Sequence, residues 1–244
     1  VGYREFDPPP RLDGLVECRW VRTGPAEPGR VLPDGCMDLI EMDDRIVVAG
    51  PDTTAFITAG SPDPVQGLRF RPGVLPRLLG VPASEVRNTR VDLRELRELR
   101  RISRAGSLGE LAVSLASQPP RDQTAPWPLH ALHDVTRLMG AGASVSSTAR
   151  RLGWSNRTMQ RQCATVYGYG PATLRRILRF RRAVDLLGGG MSSSAAAAQA
   201  GYADQSHLHR EFRALAGVPL RGLGQSGKAA NRSTEVPSGS STVA

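Results

Sequence analysis

The sequence predicts an α+β fold: a small, mainly-β N-terminal domain followed by short helices, then an all-α C-terminal domain of two helix-turn-helix units joined by a long helix. Three observations carry this. Short apolar runs between Pro, Gly and Asp fill the chain up to about Arg71, apolar residues at helical spacing replace them after Pro72, and one turn pattern occurs twice, 48 residues apart, in the second half. The charge divides in the same way. Residues 1–124 hold 17 Arg and 18 acidic residues, whereas 125–222 hold 13 Arg and 4 acidic residues, so the formal net charge of +9 resides in the second segment. Clustered cations suit a polyanion, and a neutral segment beside a basic one suggests a nucleic-acid-binding module attached to something else. Arg outnumbers Lys 31 to 1, so the placement of the arginines is informative and their choice over lysine is not.

In the first segment, Met37 to Met42, Asp43-Asp44 and Arg45 to Val48 read as a hairpin with a tight acidic turn. Phe56-Ile57 and Leu68 to Phe70 are further strand candidates. Leu93, Leu96, Leu99 and Ile102 then form an apolar stripe at three-residue intervals. Asp92 with Glu95, and Ser107 with Glu110, have the spacing of reciprocal caps, which predicts short helices over 93–102 and 108–117. Four prolines between Gln118 and Pro128 exclude a helix there and predict a linker. The expected organisation is an N-terminal sensory or dimerisation domain over 1–117, a linker over 118–128, a DNA-binding domain over 129–223 and a disordered tail over 224–244, the last too poor in apolar residues to offset ordering entropy.

The repeated pattern has a physical logic at each position. Ala149, Leu152, Gly153 and Trp154 precede Ser155; Ala197, Ala200, Gly201 and Tyr202 precede Ala203 and Asp204. A small Ala lets the next helix cross closely, Gly ends the first helix in a left-handed conformation, an aromatic fills the turn, and Ser155 or Asp204 caps the second helix. These are the parts of a helix-turn-helix, whose second helix enters a major groove. Between the copies, Pro171 to Leu187 reads as one connecting helix of about 25 Å, bounded by Gly188 to Gly190, with Ser192 to Ser194 offering the next cap. That length suits two recognition helices held about one DNA turn, near 34 Å, apart.

On the first recognition helix Arg157, Gln160 and Arg161 share a face and can bond base edges. Asn156 and Thr158 at its start suit phosphates. The second helix offers Gln205, Ser206, His209 and Arg210, with Met159, Leu208 and Phe212 expected to face the core. The residues from Ala197 to Leu223, with Gly201-Tyr202, Asp204 to His207, Arg210, Phe212, Gly217 and Pro219 in order, resemble the signature of the AraC/XylS family of transcription regulators. The resemblance covers about 129–223 and implies that both units bind DNA as one module, that Arg157, Gln160 and Arg161 contact bases, and that His207 supports the turn. Cys163, where an aromatic or leucine is usual, and Ala196, in place of a common isoleucine, depart from the pattern. Trp20, Leu32 to Leu39, Gly50-Pro51 and Arg69 to Gly73 resemble an uncharacterised domain found ahead of some AraC-type modules. By that analogy the N-terminal domain senses a ligand or mediates dimerisation.

Catalytic chemistry lacks parts. The one lysine is Lys228 and histidine is absent from residues 1–124, so a phosphate-binding Gly-Lys loop, a core Schiff-base lysine and the usual ligand of a metal-dependent barrel enzyme are all missing. His130 and His133 stand one helical turn apart without a Cys pair, Cys18 and Cys36 could form a redox or alkyl-accepting pair, and Asp34 and Asp38 flank Gly35 as turn formers or acids. The expectation is a non-enzymatic, sequence-specific regulator, activator or repressor, needing no cofactor or metal. Its candidate partners are double-stranded DNA, a small-molecule effector at the N-terminal domain, RNA polymerase and a second copy of the chain. The alternative is a small-molecule-binding protein or enzyme fused to a nonspecific nucleic-acid tether. With three cysteines and no run of eighteen apolar residues, the expected compartment is the cytoplasm, without membrane span or export signal.

Overall fold

The computed structural model describes residues 2–23, 29–58, 64–96 and 106–220. The expected tail over 224–244, Lys228 and the second half of the helix expected over 93–102 lie outside them.

Among the described residues eight strands come first: β1 (Gly2–Phe6), β2 (Val16–Thr23), β3 (Gly29–Val31), β4 (Met37–Met42), β5 (Arg45–Ala49), β6 (Phe56–Thr58), β7 (Val65–Phe70) and, after the short helix α1 (Val74–Leu79), β8 (Arg90–Asp92). The helices α2 (Leu93–Leu96), α3 (Leu108–Ala116), α4 (Leu129–Gly140), α5 (Val145–Arg151), α6 (Asn156–Tyr167), α7 (Pro171–Gly188), α8 (Ser193–Ala200) and α9 (Gln205–Ala216) follow. The fold is therefore mixed α+β, with a mainly-β N-terminal region ahead of the helices. Among the described residues no helix is long and apolar enough to cross a membrane.

Six strands form one antiparallel sheet in the order β1-β2-β7-β4-β5-β8, and β3 pairs with β6 in a separate ribbon. The β4–β5 hairpin closes on Asp43 and Asp44, both at positive φ (49° and 57°), the two-residue turn whose twist matches that of the strands. The expected strand Leu68 to Phe70 is the end of β7, which lies inside the sheet between β2 and β4.

Side chains alternate across a strand, so register assigns each to a face. Phe70, Leu68, Leu39 and Val48 share one face and belong to a core that also takes in Leu111 and Leu115 of α3, Leu132 and Val135 of α4, Met159 and Val166 of α6 and Ile177 of α7. Cys18, Arg69, Asp38, Ala49 and Arg90 run across the other face in one row of paired residues, with Trp20, Gly67, Ile40 and Val47 in the next. This second face meets the β3–β6 ribbon and encloses a cavity.

Two glycines serve close approach. A Cβ on Gly67 would stand 2.4 Å from the Trp20 ring, and one on Gly50 would stand 1.6 Å from the Val86 carbonyl oxygen. The Gly50 N–H donates to Thr89 O, so neither side can withdraw without breaking the strand-end contact. Gly50→Ala is expected to lower stability by about 3 kcal/mol, at the upper end of overpacking costs. Urea unfolding of the purified variant measures this, and a loss below about 1 kcal/mol would show that the backbone yields.

Residues 118–128 contain no helix, as their prolines require. Two of their side chains nonetheless join the core. Thr124 and Trp127 are buried; Trp127 stacks on Trp154 with centroids 4.5 Å apart, donates its Nε1–H to Gln162 Oε1, and its carbonyl accepts from Arg77 Nη1 at 2.8 Å.

Candidate nucleic-acid interface and adjoining cavity

The two turn patterns fold alike. In the first, Gly153 at φ 71° ends α5, the Trp154 N–H returns to Ala149 O at 2.9 Å, and Ser155 Oγ accepts from Thr158 N at 3.0 Å to cap α6. In the second, Gly201 at φ 81° ends α8, the Tyr202 N–H returns to Ala197 O at 2.9 Å, and Asp204 Oδ1 accepts from His207 N at 2.6 Å to cap α9. These closures satisfy carbonyls at one helix end and amides at the next helix start. Ala149 and Ala197 are buried at the crossings. The His207 ring stands edge-on to Tyr202 and its Nδ1 accepts from Ala203 N at 3.5 Å.

Each second helix buries one stripe: Met159, Cys163, Val166 and Tyr167 on α6, and Leu208, Phe212, Leu215 and Ala216 on α9. Cys163, for all its smaller volume, is fully buried, with its Sγ 3.6 Å from Met159 Sδ. The opposite faces carry the residues singled out from sequence. Asn156, Arg157, Gln160, Arg161, Gln205, Ser206 and Arg210 are exposed. Two residues of that set sit differently. Thr158 is half-buried with its hydroxyl 2.9 Å from Ser155 Oγ, within the cap. His209, next to buried Leu208, is also half-buried, and its Nε2 is shielded without a hydrogen-bond partner.

Several arginines of the basic segment hold the protein together. Arg176 of α7 grips Glu211 of α9 through two bonds of 2.8 and 3.0 Å, Arg179 lies over the Tyr202 ring at 4.4 Å, and Arg181 pairs with Glu17 of β2. From the N-terminal region, Arg87 Nη1 donates to Gly168 O at the end of α6 at 3.2 Å, and Arg30 Nη1 donates to Ala216 O at the end of α9 at 2.6 Å. Ala55 N adds a bond to Leu215 O at 2.7 Å. Both helices thus have their carboxyl ends, where unsatisfied carbonyls concentrate negative potential, capped by a cation from the first half of the chain.

The cavity between the sheet and the β3–β6 ribbon has a volume of ≈ 460 Å³, within the range of small-molecule sites. Its walls include Tyr3, Trp20, Ile40, Met42, Val47 and Phe56. In its lining Arg69 is nearly fully buried, paired with Glu5 at 3.2 Å, Asp34 at 3.5 Å and Asp38 at 3.4 Å. Trp20 Nε1 also donates to Asp38 at 2.9 Å. Burial raises the Asp38 carboxyl above its ordinary range against the opposing pull of Arg69. Arg90 pairs with Asp52 at 2.6 Å and covers the Phe56 ring at 3.9 Å. Sequence reasoning did not single out Arg69, Arg90, Asp52 or Trp20 as binding residues; a charged residue closing an apolar strand such as β7 is the signal that could have found the first.

Cys18 and Cys36 are both buried free thiols. Burial pushes Cys18 up to about 12 and Cys36 well above its ordinary value, which disfavours the thiolate that alkyl transfer or exchange requires. Among the described residues no group of three or more potential metal ligands occurs.

Two family models match the chain: a helix-turn-helix domain over residues 148–225 and a domain of unknown function, DUF6597, over residues 4–92. No curated protein matches the sequence significantly. Solved structures similar to the chain include ToxT from Vibrio cholerae at 1.65 Å resolution, with 10% identity, 91% of this chain and 97% of that one covered and a TM-score of 0.44. Another is ToxT bound to (E)-4-(8-methylnaphthalen-1-yl)but-3-enoic acid, with 10% identity, 91% and 98% covered and a TM-score of 0.43. A third is ToxT bound to unsaturated fatty acid, with 9% identity, 82% and 83% covered and a TM-score of 0.41. The chain thus carries a helix-turn-helix domain of the AraC type in its second half and a DUF6597 domain in its first.

Proposed function

We propose that the protein binds double-stranded DNA sequence-specifically, with α6 and α9 entering successive major grooves. The observation that carries this is the twice-built turn, each copy followed by a capped helix with one buried stripe and an exposed face of hydrogen-bonding side chains. Arg157, Gln160 and Arg161 read base edges from α6, and Gln205, Ser206 and Arg210 do so from α9, with His209 at the margin of that face. Asn156 and Thr158 contact phosphate at the start of α6. The 18-residue α7, about 27 Å long at 1.5 Å per residue, suits the spacing of adjacent grooves. The working division is residues 1–117 for sensing, 118–128 for connection and 129–223 for DNA, with a small molecule received by the N-terminal cavity.

Selection of bound sequences from a random pool, followed by competition anisotropy, tests the assignment. Arg161→Ala is expected to cost about 1–3 kcal/mol on the selected site and much less on random DNA. An equal loss on every sequence would favour a nonspecific tether.

A further inference from the structure

The two helix-turn-helix units are anchored to the first half of the chain in different ways. The first unit belongs to the main core: Ala149 of α5 and Met159, Cys163 and Val166 of α6 are buried in one continuous cluster with Leu39, Phe70 and Leu75. The approach is close enough to need glycine. A Cβ on Gly73 would stand 2.7 Å from Val166 Cγ1, and one on Gly168 would stand 2.6 Å from Pro51 Cγ. The bond from Arg87 to Gly168 O adds to an anchor that apolar burial already supplies.

The second unit has no part in that cluster. Ala196, Ala197 and Ala200 of α8, Tyr202 of the turn and Leu208 of α9 pack on Ala183 of α7, and alanines bury little apolar area. Among the described residues, the ties of this unit to the first half of the chain run through the β3–β6 ribbon and the residues beside it. Leu32 joins Phe212, Leu215 and Ala216, Ala55 N donates to Leu215 O at 2.7 Å, and Arg30 Nη1 donates to Ala216 O at 2.6 Å. Gly217 leaves room for that guanidinium, since a Cβ there would stand 3.2 Å from Arg30 Nη1. The ribbon stands apart from the six-stranded sheet, and two strands by themselves are marginally stable. Hence each bond it makes to α9 carries a larger share of the anchoring than the Arg87 bond does for α6.

Resting on the reading of α6 and α9 as recognition helices, we infer that Arg30 is a positioning residue for the second of them. Standing at the opposite end of α9 from Gln205 and Ser206, it acts without touching DNA: its bond to the last turn fixes the direction in which the helix presents Gln205, Ser206 and Arg210. Base reading by α6 is independent of the ribbon.

The full chain and a site selected from a random pool test this. Base pairs whose substitution ceases to matter in Arg161→Ala belong to α6, and those that cease to matter in Arg210→Ala belong to α9. In Arg30→Ala the affinity penalty for substitutions in the α9 set shrinks about threefold or more, the scale of losing one partly buried cation at a helix carboxyl end, while the α6 set keeps its native penalties. Arg30→Lys, which retains a cationic donor, restores the α9 set. Equal shrinkage in both sets, an unchanged α9 set, or a lysine variant no better than alanine overturns the assignment. Hydrogen–deuterium exchange without DNA gives an independent readout: Arg30→Ala speeds amide exchange in α8 and α9 about threefold or more and leaves α5 and α6 as they were. Acceleration shared by both units, or seen in neither, also overturns it. Failure of the DNA-binding reading looks different: no sequence is enriched from the pool, whatever the exchange rates show.

Discussion

Arg69→Met is expected to lower stability by about 3–5 kcal/mol, the usual cost of removing one partner from a buried ionic cluster. The methionine keeps much of the volume but leaves Glu5, Asp34 and Asp38 facing one another. The loss depends on pH with a definite sign. Without the guanidinium, burial and the neighbouring Asp34 raise the folded-state value of Asp38 above its unfolded one, so the folded state binds more protons in the interval between them. Stability then falls as pH rises through the folded values and recovers toward the unfolded value near 4. Burial already raises Asp38 in the native chain, so the variant exaggerates an existing trend. Urea unfolding at pH 7 and pH 5 measures it: the deficit of Arg69→Met is smaller at pH 5. A deficit that is constant or grows on acidification would show that the three carboxylates are not the groups left stranded.

Phe212→Ala is the second large effect, about 3–5 kcal/mol for deleting a fully buried aromatic ring. Phe212 is 0% exposed and meets Phe180 of α7 with centroids 5.1 Å apart. Leu32, from the loop that also lines the cavity, completes that cluster. Emptying the site removes the aromatic anchor of α9 on α7 and leaves the pairs of Glu211 with Arg176 and Arg179 and the smaller contacts of Leu208, Leu215 and Ala216, so affinity for a selected DNA site is expected to fall at least tenfold along with stability. Denaturant unfolding and anisotropy on the same preparation check both. Loss of stability with DNA affinity intact would mean that α9 keeps its place without its core anchor.

The two helix-turn-helix units were legible in the sequence because each depends on local chemistry. Gly153 and Gly201 supply a conformation few residues adopt, Ser155 and Asp204 cap within three residues, and the buried stripes recur at helical spacing. The hairpin at Asp43-Asp44 was legible for the same reason. The position of β7 inside the sheet was not, since it depends on pairing with β2 and β4, far away in sequence. Arg69 shows the difficulty best: it meets Glu5, Asp34 and Asp38 across separations of 64, 35 and 31 residues, and nothing near it in the chain announces those partners. Likewise, the prolines of 118–128 correctly excluded a helix, but local rules said nothing of Trp127 stacking on Trp154. His209 was read as outward from spacing alone, and its partial burial follows from its place beside Leu208 at the edge of the buried stripe.

The arginine caps tie α6 and α9 to the first half of the chain at their carboxyl ends. Arg87 and Arg30 fasten the carboxyl ends, while Arg157 and Gln205 lie near the amino ends, where Gln205 Nε2 donates to Ser193 Oγ at 2.8 Å. Each helix has 12 residues, about 18 Å. A tilt of about 10° at the fastened end displaces the tip by about 3 Å, close to the rise from one base pair to the next. On the proposed reading of α6 and α9, a tilt of that size is enough to shift which base a residue at the helix start meets.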